Sequence, residues 1–372
     1  MINQTRCPIS DSEIYPFISL GPQPISMGIS TDAAYNDQYN EMTWGATEEG
    51  IVHLMTRIPL DVLYGNSHNS GLVGKVWKLH HHEFAKFISK FQPNKICEIG
   101  GGHGALSEIY EKRNDFTQWE IFEPNPTKSS KNKICVRDEF FSEHSIIDKK
   151  DCFIHSHLFE HLYDHGSILT AIHRSLTDDG MMIFSLPNLR SMVKRGYVNA
   201  LNFEHVTYLP EDLVEYLLLK YGFHVLEKQY FLDDHSIFYC CGKKTPDNTL
   251  FYNNKKNIHI VTDYYERIKK EIEILNSKVF SQNSSASIYL FGAHIFSQFF
   301  LTNGLNSSRI KNILDNDTFK QDRRLYGTVL NVVDPRIISA DREPVVVLKV
   351  GAYRKEIIDQ LRKINRNVKI IE

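Results

Sequence analysis

The chain has 372 residues, 42% of them hydrophobic, which is enough for more than one sizeable core and points to two domains with room for a small extra module. A formal net charge of -2 offers no basic field for nucleic acid, and no apolar stretch approaches the roughly 20 residues that a membrane helix needs. Met1-Ile2-Asn3-Gln4-Thr5-Arg6 does not lead into a signal-peptide core, so a soluble cytoplasmic protein is expected, its six cysteines being reduced core thiols without a C-x-x-C pair.

Residues 1–75 are poor in long periodic segments and rich in turn residues, which predicts an irregular leading module. Its polar end, residues 64–71, precedes the first long helix and is placed to fold over a site as a lid. Phe84, Phe87, Ile88 and Phe91 then have the i, i+3, i+4, i+7 spacing of a helix that ends before Pro93. His80, His81 and His82 on that helix read as a partly solvated face, because consecutive residues diverge around a helix and cannot jointly ligate.

From residue 95 to about 244, strands and helices alternate. Strands are predicted at 95–99, 119–122, 151–155 and 181–185, with helices opening at Ala105 and covering 167–176 and 210–221. Residues 223–228 and 236–241 close the run as paired strands. The pattern predicts an α/β sheet with helices on both faces over residues 76–244. Residues 243–256, polar and carrying Pro246, read as a linker, and Val261, Tyr264, Ile268, Ile272, Leu275 and Val279 trace one face of a long amphipathic helix. Linker and helix together occupy 245–285. A second, smaller α/β run over 286–372 has the look of a Rossmann-like domain; its turn, Gly292-Ala293-His294, has one glycine, so it is expected to bind no dinucleotide of its own.

The most informative segment is Glu98-Ile99-Gly100-Gly101-Gly102-His103-Gly104. Glycines at 100, 102 and 104 let the backbone turn tightly and approach a ligand with no Cβ in the way, and a helix opens directly behind them. Gly100, Gly102 and Ala105 also fit the dinucleotide pattern G-x-G-x-x-A, so a nicotinamide enzyme competes at this point. The flanking carboxylates favour S-adenosylmethionine. Glu98 stands where a dinucleotide fold usually carries an apolar residue and where an acid can meet the methionine ammonium group. Glu123, held at a strand end by Pro124-Asn125-Pro126, can accept from both ribose hydroxyls.

Two polar clusters follow. His157-Leu158-Phe159-Glu160-His161 lies after the strand at 151–155, where such sheets approach the methionine part of the cofactor. Its order also matches the inverted zincin string, but that string belongs on a long helix, so no metal is expected. Asn202-Phe203-Glu204-His205 lies in the connection after the strand at 181–185, and a histidine beside a glutamate in such a loop can act as general base near neutral pH.

With Glu98 to Gly104, Glu123-Pro124-Asn125, the His157 to His161 segment, Glu204-His205 and, further on, Phe291-Gly292-Ala293 with residues 315–321 and Gly327, the chain resembles the sugar C-methyltransferases that act on nucleotide-linked keto-deoxysugars. That resemblance implies a class I methyltransferase core with a C-terminal Rossmann-like domain, S-adenosylmethionine as cofactor and a nucleotide sugar as small-molecule substrate. It places the base on His205, with Glu204 beside it and Tyr64 near the acceptor. The family's leading module holds zinc with four cysteines, whereas here Cys7 stands alone with Ser10 where a partner is expected. A metal-free remnant is therefore expected. Asn202 and the segment Asp233-Asp234-His235-Ser236 also depart from the family pattern, both on the acceptor side.

Overall fold

The computed structural model describes residues 2–64, 74–102, 104–127, 129–131, 133–142, 144–145 and 148–372, apart from the side chains of Asp61, Tyr64 and Ala352. The leading region carries sheet where an irregular module was expected. It contains β1 (Ile2–Asn3), β2 (Tyr15–Pro24), β3 (Ile29–Ser30), β4 (Tyr39–Ala46), β5 (Val52–Leu54) and β6 (Thr56–Arg57), followed by the helix α1 (Leu60–Tyr64). β2, β4 and β5 form an antiparallel sheet, and β1 pairs with β6. Met42, Trp44 and Ala46 are buried at period two along β4. The pattern is hidden in β2, where Pro16, Gly21, Pro22 and Pro24 interrupt the alternation and the register shifts twice.

Next come α2 (Lys75–Ser89), β7 (Lys95–Ile99), α3 (Ala105–Glu111), β8 (Gln118–Phe122), β9 (Ile134–Arg137), β10 (Lys150–Ser156), α4 (His165–Ser175), β11 (Leu176–Pro187), α5 (Leu189–Arg195), α6 (Glu211–Lys220), β12 (Phe223–Phe231) and β13 (Ser236–Lys243). The sheet order is β12-β13-β11-β10-β7-β8-β9, with β13 antiparallel to both neighbours and the other pairings parallel. Numbered within the sheet this is 3-2-1-4-5-7-6, the arrangement of a class I methyltransferase core. Alternate residues feed separate cores on its two faces: Cys97 and Cys241 belong to one, Ile96 and Cys240 to the other. Parallel register brings Ile99 beside Phe122 and His155, so the carboxyl ends of β7, β8 and β10 finish side by side. Ligands of open α/β sheets bind at such ends.

The remaining elements are α7 (Lys256–Phe280), β14 (Ile288–Phe291), α8 (Ile295–Thr302), β15 (Ile310–Leu314), β16 (Arg324–Leu325), β17 (Val332–Val333), β18 (Val345–Leu348), α9 (Arg354–Ile364) and β19 (Lys369–Ile371). A five-stranded parallel sheet runs β17-β15-β14-β18-β19, which is the expected Rossmann-like arrangement. The long helix buries the apolar face read from the sequence in the core shared with the methyltransferase sheet. Its Arg267 donates to the carbonyls of Lys194 and Val193 at the end of α5, and Tyr264 Oη donates to Tyr197 O. The preceding stretch, read as a linker, is held down by Tyr252 and Asn254, which both donate to Asp212 Oδ2 at 2.8 Å. The leading sheet docks on the last domain through Arg324, whose guanidinium makes two 2.6 Å contacts with the buried Asp37 carboxylate. No helix among the described residues is long and apolar enough to cross a membrane.

Candidate active site

The glycine turn forms as its residue types require. Gly100, Gly102 and Gly104 have φ of 73°, 49° and 64°, the left-handed region that favours glycine, and Gly104 N-caps α3. Gly100 N–H donates to Phe122 O at 2.8 Å, tying the turn to β8. Glu123 stands at the end of β8 and accepts from Gly102 N at 3.0 Å and from Asn125 N at 3.2 Å, so one carboxylate joins the turn to its own loop. Asn125 itself is exposed. His103 lies outside the described residues.

Glu98 is less open than its expected contact with a methionine ammonium group requires. It is 3% exposed, and its Oε2 accepts from Trp119 Nε1 at 2.8 Å beneath Gly101, where a Cβ would lie 2.9 Å from the carboxyl carbon. Burial pushes its carboxyl up to about 7, the Trp119 hydrogen bond working against the shift and Glu123 adding to it.

The candidate acceptor-side residues gather on the 3-10 turn after β10 and on the loop after α5. Asn202, noted in the sequence only as a departure, organises that loop: its Oδ1 accepts from Glu204 N at 2.7 Å and His205 N at 3.1 Å. His205 Nδ1 lies 3.1 Å from Ala200 O, a partner that can only accept, so Nδ1 carries the proton and Nε2 keeps the lone pair a base needs. The His161 and His205 rings are 4.8 Å apart, and His161 lies 4.0 Å from both Glu160 Oε1 and Glu204 Oε2. Burial, then the neighbouring His205, lower the His161 pKa, while burial raises that of Glu160. Glu160, His161 and His205 each present one donor atom within 4.8 Å of the others.

His157 does not join this group directly. A φ of 51° at the end of β10 turns it toward α2 and the β12–β13 hairpin, with Nδ1 3.0 Å from Glu160 Oε1 and Nε2 2.8 Å from Ser236 Oγ. The H-x-x-E-H string is thus a strand end and a short 3-10 turn rather than a helix. Tyr64 ends α1, and its side chain and the segment 65–73 lie outside the described residues. In the leading module, Cys7 Sγ faces His53 Nε2 at 3.0 Å, and His53 Nδ1 lies 3.0 Å from Thr207 Oγ1. A cleft of roughly 390 Å³, open to solvent, lies between the end of β2, the residue 202–204 loop and α8; Glu204 lines it together with Gln23, Gln298 and Phe299.

Residues 75–228 match a protein-family model described as a methyltransferase domain. With its sheet order, this part of the chain is a class I methyltransferase domain, the fold of S-adenosylmethionine-dependent methyltransferases. No curated protein matches the chain. Among solved structures, the chain is similar to an S-adenosylmethionine dependent methyltransferase from Mesorhizobium loti, at 11% identity over 46% of this chain and 100% of that one with a TM-score of 0.37. It is similar also to magnesium protoporphyrin IX methyltransferase from Synechocystis PCC 6803 with bound SAH, at 14% identity over 49% and 97% with a TM-score of 0.37. A third likeness is to 1,6-didemethyltoxoflavin-N1-methyltransferase from Burkholderia thailandensis, at 13% identity over 52% and 96% with a TM-score of 0.40.

Proposed function

We propose that the chain transfers a methyl group from S-adenosylmethionine to a carbon of a nucleotide-linked keto-deoxysugar, in surface polysaccharide or secondary metabolite synthesis. The observation that carries this reading is the His205 imidazole, fixed by Ala200 O with its basic nitrogen free to accept, on a loop whose Glu204 lines a cleft reaching two further modules.

The cofactor fits the glycine turn. A Cβ added at Gly102 would meet nothing within 4 Å, so the space over the turn is open, and each Glu123 oxygen retains a lone pair beyond its backbone contact. Gly100, Gly102, Gly104, Glu123 and Asn125 would hold the adenosine end and His161 would face the methionine end, while Glu98 supports the turn from beneath through Trp119 and His157 is turned toward α2 and the β12–β13 hairpin. When bound, the cofactor supplies a methyl group already activated on a sulfonium.

His205 Nε2 then removes the proton from the carbon beside the sugar carbonyl. His161, kept neutral by burial, can donate a ring N–H to the developing enolate oxygen, with Glu204 orienting it from 4.0 Å and Tyr64 as a further donor. An amine or hydroxyl acceptor would use the same base, which makes O- or N-methylation the alternative.

The His205→Ala variant tests this. It should bind S-adenosylhomocysteine normally and transfer labelled methyl 10²- to 10⁴-fold more slowly, the typical cost of losing a general base. In the wild type, the α-proton of the keto sugar should exchange with deuterated water without methyl transfer, and the variant should abolish that exchange. Near-wild-type turnover would remove the base from His205; turnover without α-proton exchange would favour oxygen or nitrogen as acceptor.

A further inference from the structure

The three consecutive histidines of α2 are not equivalent. His80 points inward and is fully buried, His81 is partly buried and His82 exposed, the fan expected of neighbouring helix positions. The reading of this triplet as one partly solvated face is therefore corrected at His80. Neither ring nitrogen of His80 has a hydrogen-bond partner among the described residues. An unsatisfied buried polar group costs roughly 1 to 3 kcal/mol, so a buried histidine with both nitrogens unpaired calls for an explanation.

Its surroundings supply one. His157, from the end of β10, and His235, from the β12–β13 hairpin, have ring centroids 5.2 Å and 5.5 Å from that of His80. One ring nitrogen from each of the three lies within 4.8 Å of the others. His157 Nε2 and His235 Nδ1 already aim at one point, the buried Ser236 Oγ, at 2.8 Å and 2.6 Å. Behind His157, Glu160 Oε1 stands 3.0 Å from Nδ1, which fixes Nδ1–H as donor and leaves Nε2 as a lone pair. The other oxygen of Glu160 is buried and without a hydrogen-bond partner.

We propose that His80, His157 and His235 hold a divalent transition-metal ion of the zinc type, with Glu160 as the outer carboxylate on His157. Three imidazole nitrogens with Ser236 Oγ or a water as fourth donor make a tetrahedral set suited to Zn²⁺. At Zn–N bonds of about 2.0–2.1 Å, the nitrogens would draw together to roughly 3.4 Å. A dication there accounts for both unsatisfied features at once: it binds His80, and its charge compensates the buried Glu160 carboxyl. The ligands come from a helix, a strand end and a hairpin, so the ion ties α2 and the hairpin to the carboxyl end of the sheet on the acceptor side. The expectation of no metal rested on the spacing of His80–His82, on the H-x-x-E-H string and on the lone Cys7, and none of these tests a set drawn from a helix, a strand end and a hairpin. The site stands on its own geometry, whichever acceptor the enzyme takes.

The test is elemental analysis of tag-free protein, followed by titration of metal-stripped protein with Co²⁺, whose visible bands report a tetrahedral site. The wild type should hold one equivalent. His80→Ala and His235→Ala should lose it, Glu160→Gln should weaken Co²⁺ binding 10- to 100-fold, and His161→Ala should retain it. Circular dichroism and S-adenosylhomocysteine titration confirm that each variant is folded, and His235→Ala, on a partly exposed hairpin, serves if His80→Ala does not fold. Absence of a stoichiometric ion in the wild type, or its retention in folded His235→Ala, would overturn the proposal. So would its loss in His161→Ala alone, which would place the ion with Glu160, His161 and His205.

Discussion

The seven-stranded and five-stranded sheets of this chain carry nearly the same turn at the end of their first strand, and the two turns differ in what lies against them. In the first, Gly100 N donates to Phe122 O at 2.8 Å, and Glu123 from the neighbouring strand end accepts from Gly102 N. In the second, Gly292 N donates to Leu314 O at 2.7 Å, and Asp315 accepts from Ala293 N at 2.8 Å. The difference lies in what occupies the space above. Over the first turn, Gly102 has open space. Over the second, Lys320 Nζ donates to Ala293 O at 3.1 Å and lies 3.4 Å from Asp315 Oδ2, so a side chain of the same chain already uses the acceptor groups a ribose would need. A strand, a glycine and an acid are a frame; in the second sheet a lysine of the same chain already engages that acid.

The largest effect expected from the second domain is on stability. Arg324→Ala leaves the Asp37 carboxylate buried against the leading sheet without its cation, and breaking such a pair typically costs about 3 to 5 kcal/mol. Thermal denaturation should show the loss, with the remaining folded enzyme binding S-adenosylhomocysteine as before. A melting temperature within a degree or two of wild type would mean that the last domain docks by other contacts.

A smaller effect is expected from Asp315→Ala. It strands the Ala293 and Asp317 N–H groups and should lower stability by about 1 to 3 kcal/mol, while S-adenosylhomocysteine affinity stays unchanged. Weakened cofactor binding in this variant would erase the distinction between the two turns.

A third effect, felt only as pH rises, is expected at Glu98. Its folded pKa is raised from 4.5 to about 7, so the folded state holds the proton more tightly than the unfolded chain. Stability from this group is therefore fully present below about 4.5 and lost as pH rises through 7, by up to about 3 kcal/mol. Melting curves of the wild type and Glu98→Gln between pH 5 and 8 should diverge, the wild type declining more. Parallel curves would show that Glu98 is ionised throughout.

Both sheets were legible in the sequence because buried parallel strands are continuous apolar runs bounded by glycine and proline, as at Ile288–Phe291 and Val345–Leu348. The leading sheet was not, since prolines and register shifts in β2 erase the period-two signal. Residue types single out Gly100 to Gly104, Glu123 and the Glu204-His205 pair as candidates from the sequence alone. The Asn202 cap, the outer position of Glu160 and the inward turn of His80 were hidden. Each depends on which direction a side chain leaves the backbone, and on partners far away in sequence such as His235, which no local spacing encodes.

The central claim is that the first turn binds S-adenosylmethionine and the second binds nothing of that kind. Calorimetric titration of S-adenosylhomocysteine into the wild type and Glu123→Ala tests it most directly. The account predicts one site per chain in the wild type, weakened in Glu123→Ala by about 1.5 to 3 kcal/mol, the value of hydrogen bonds to a charged group. Unchanged affinity in Glu123→Ala, or binding of NADH with none of S-adenosylhomocysteine, would contradict it.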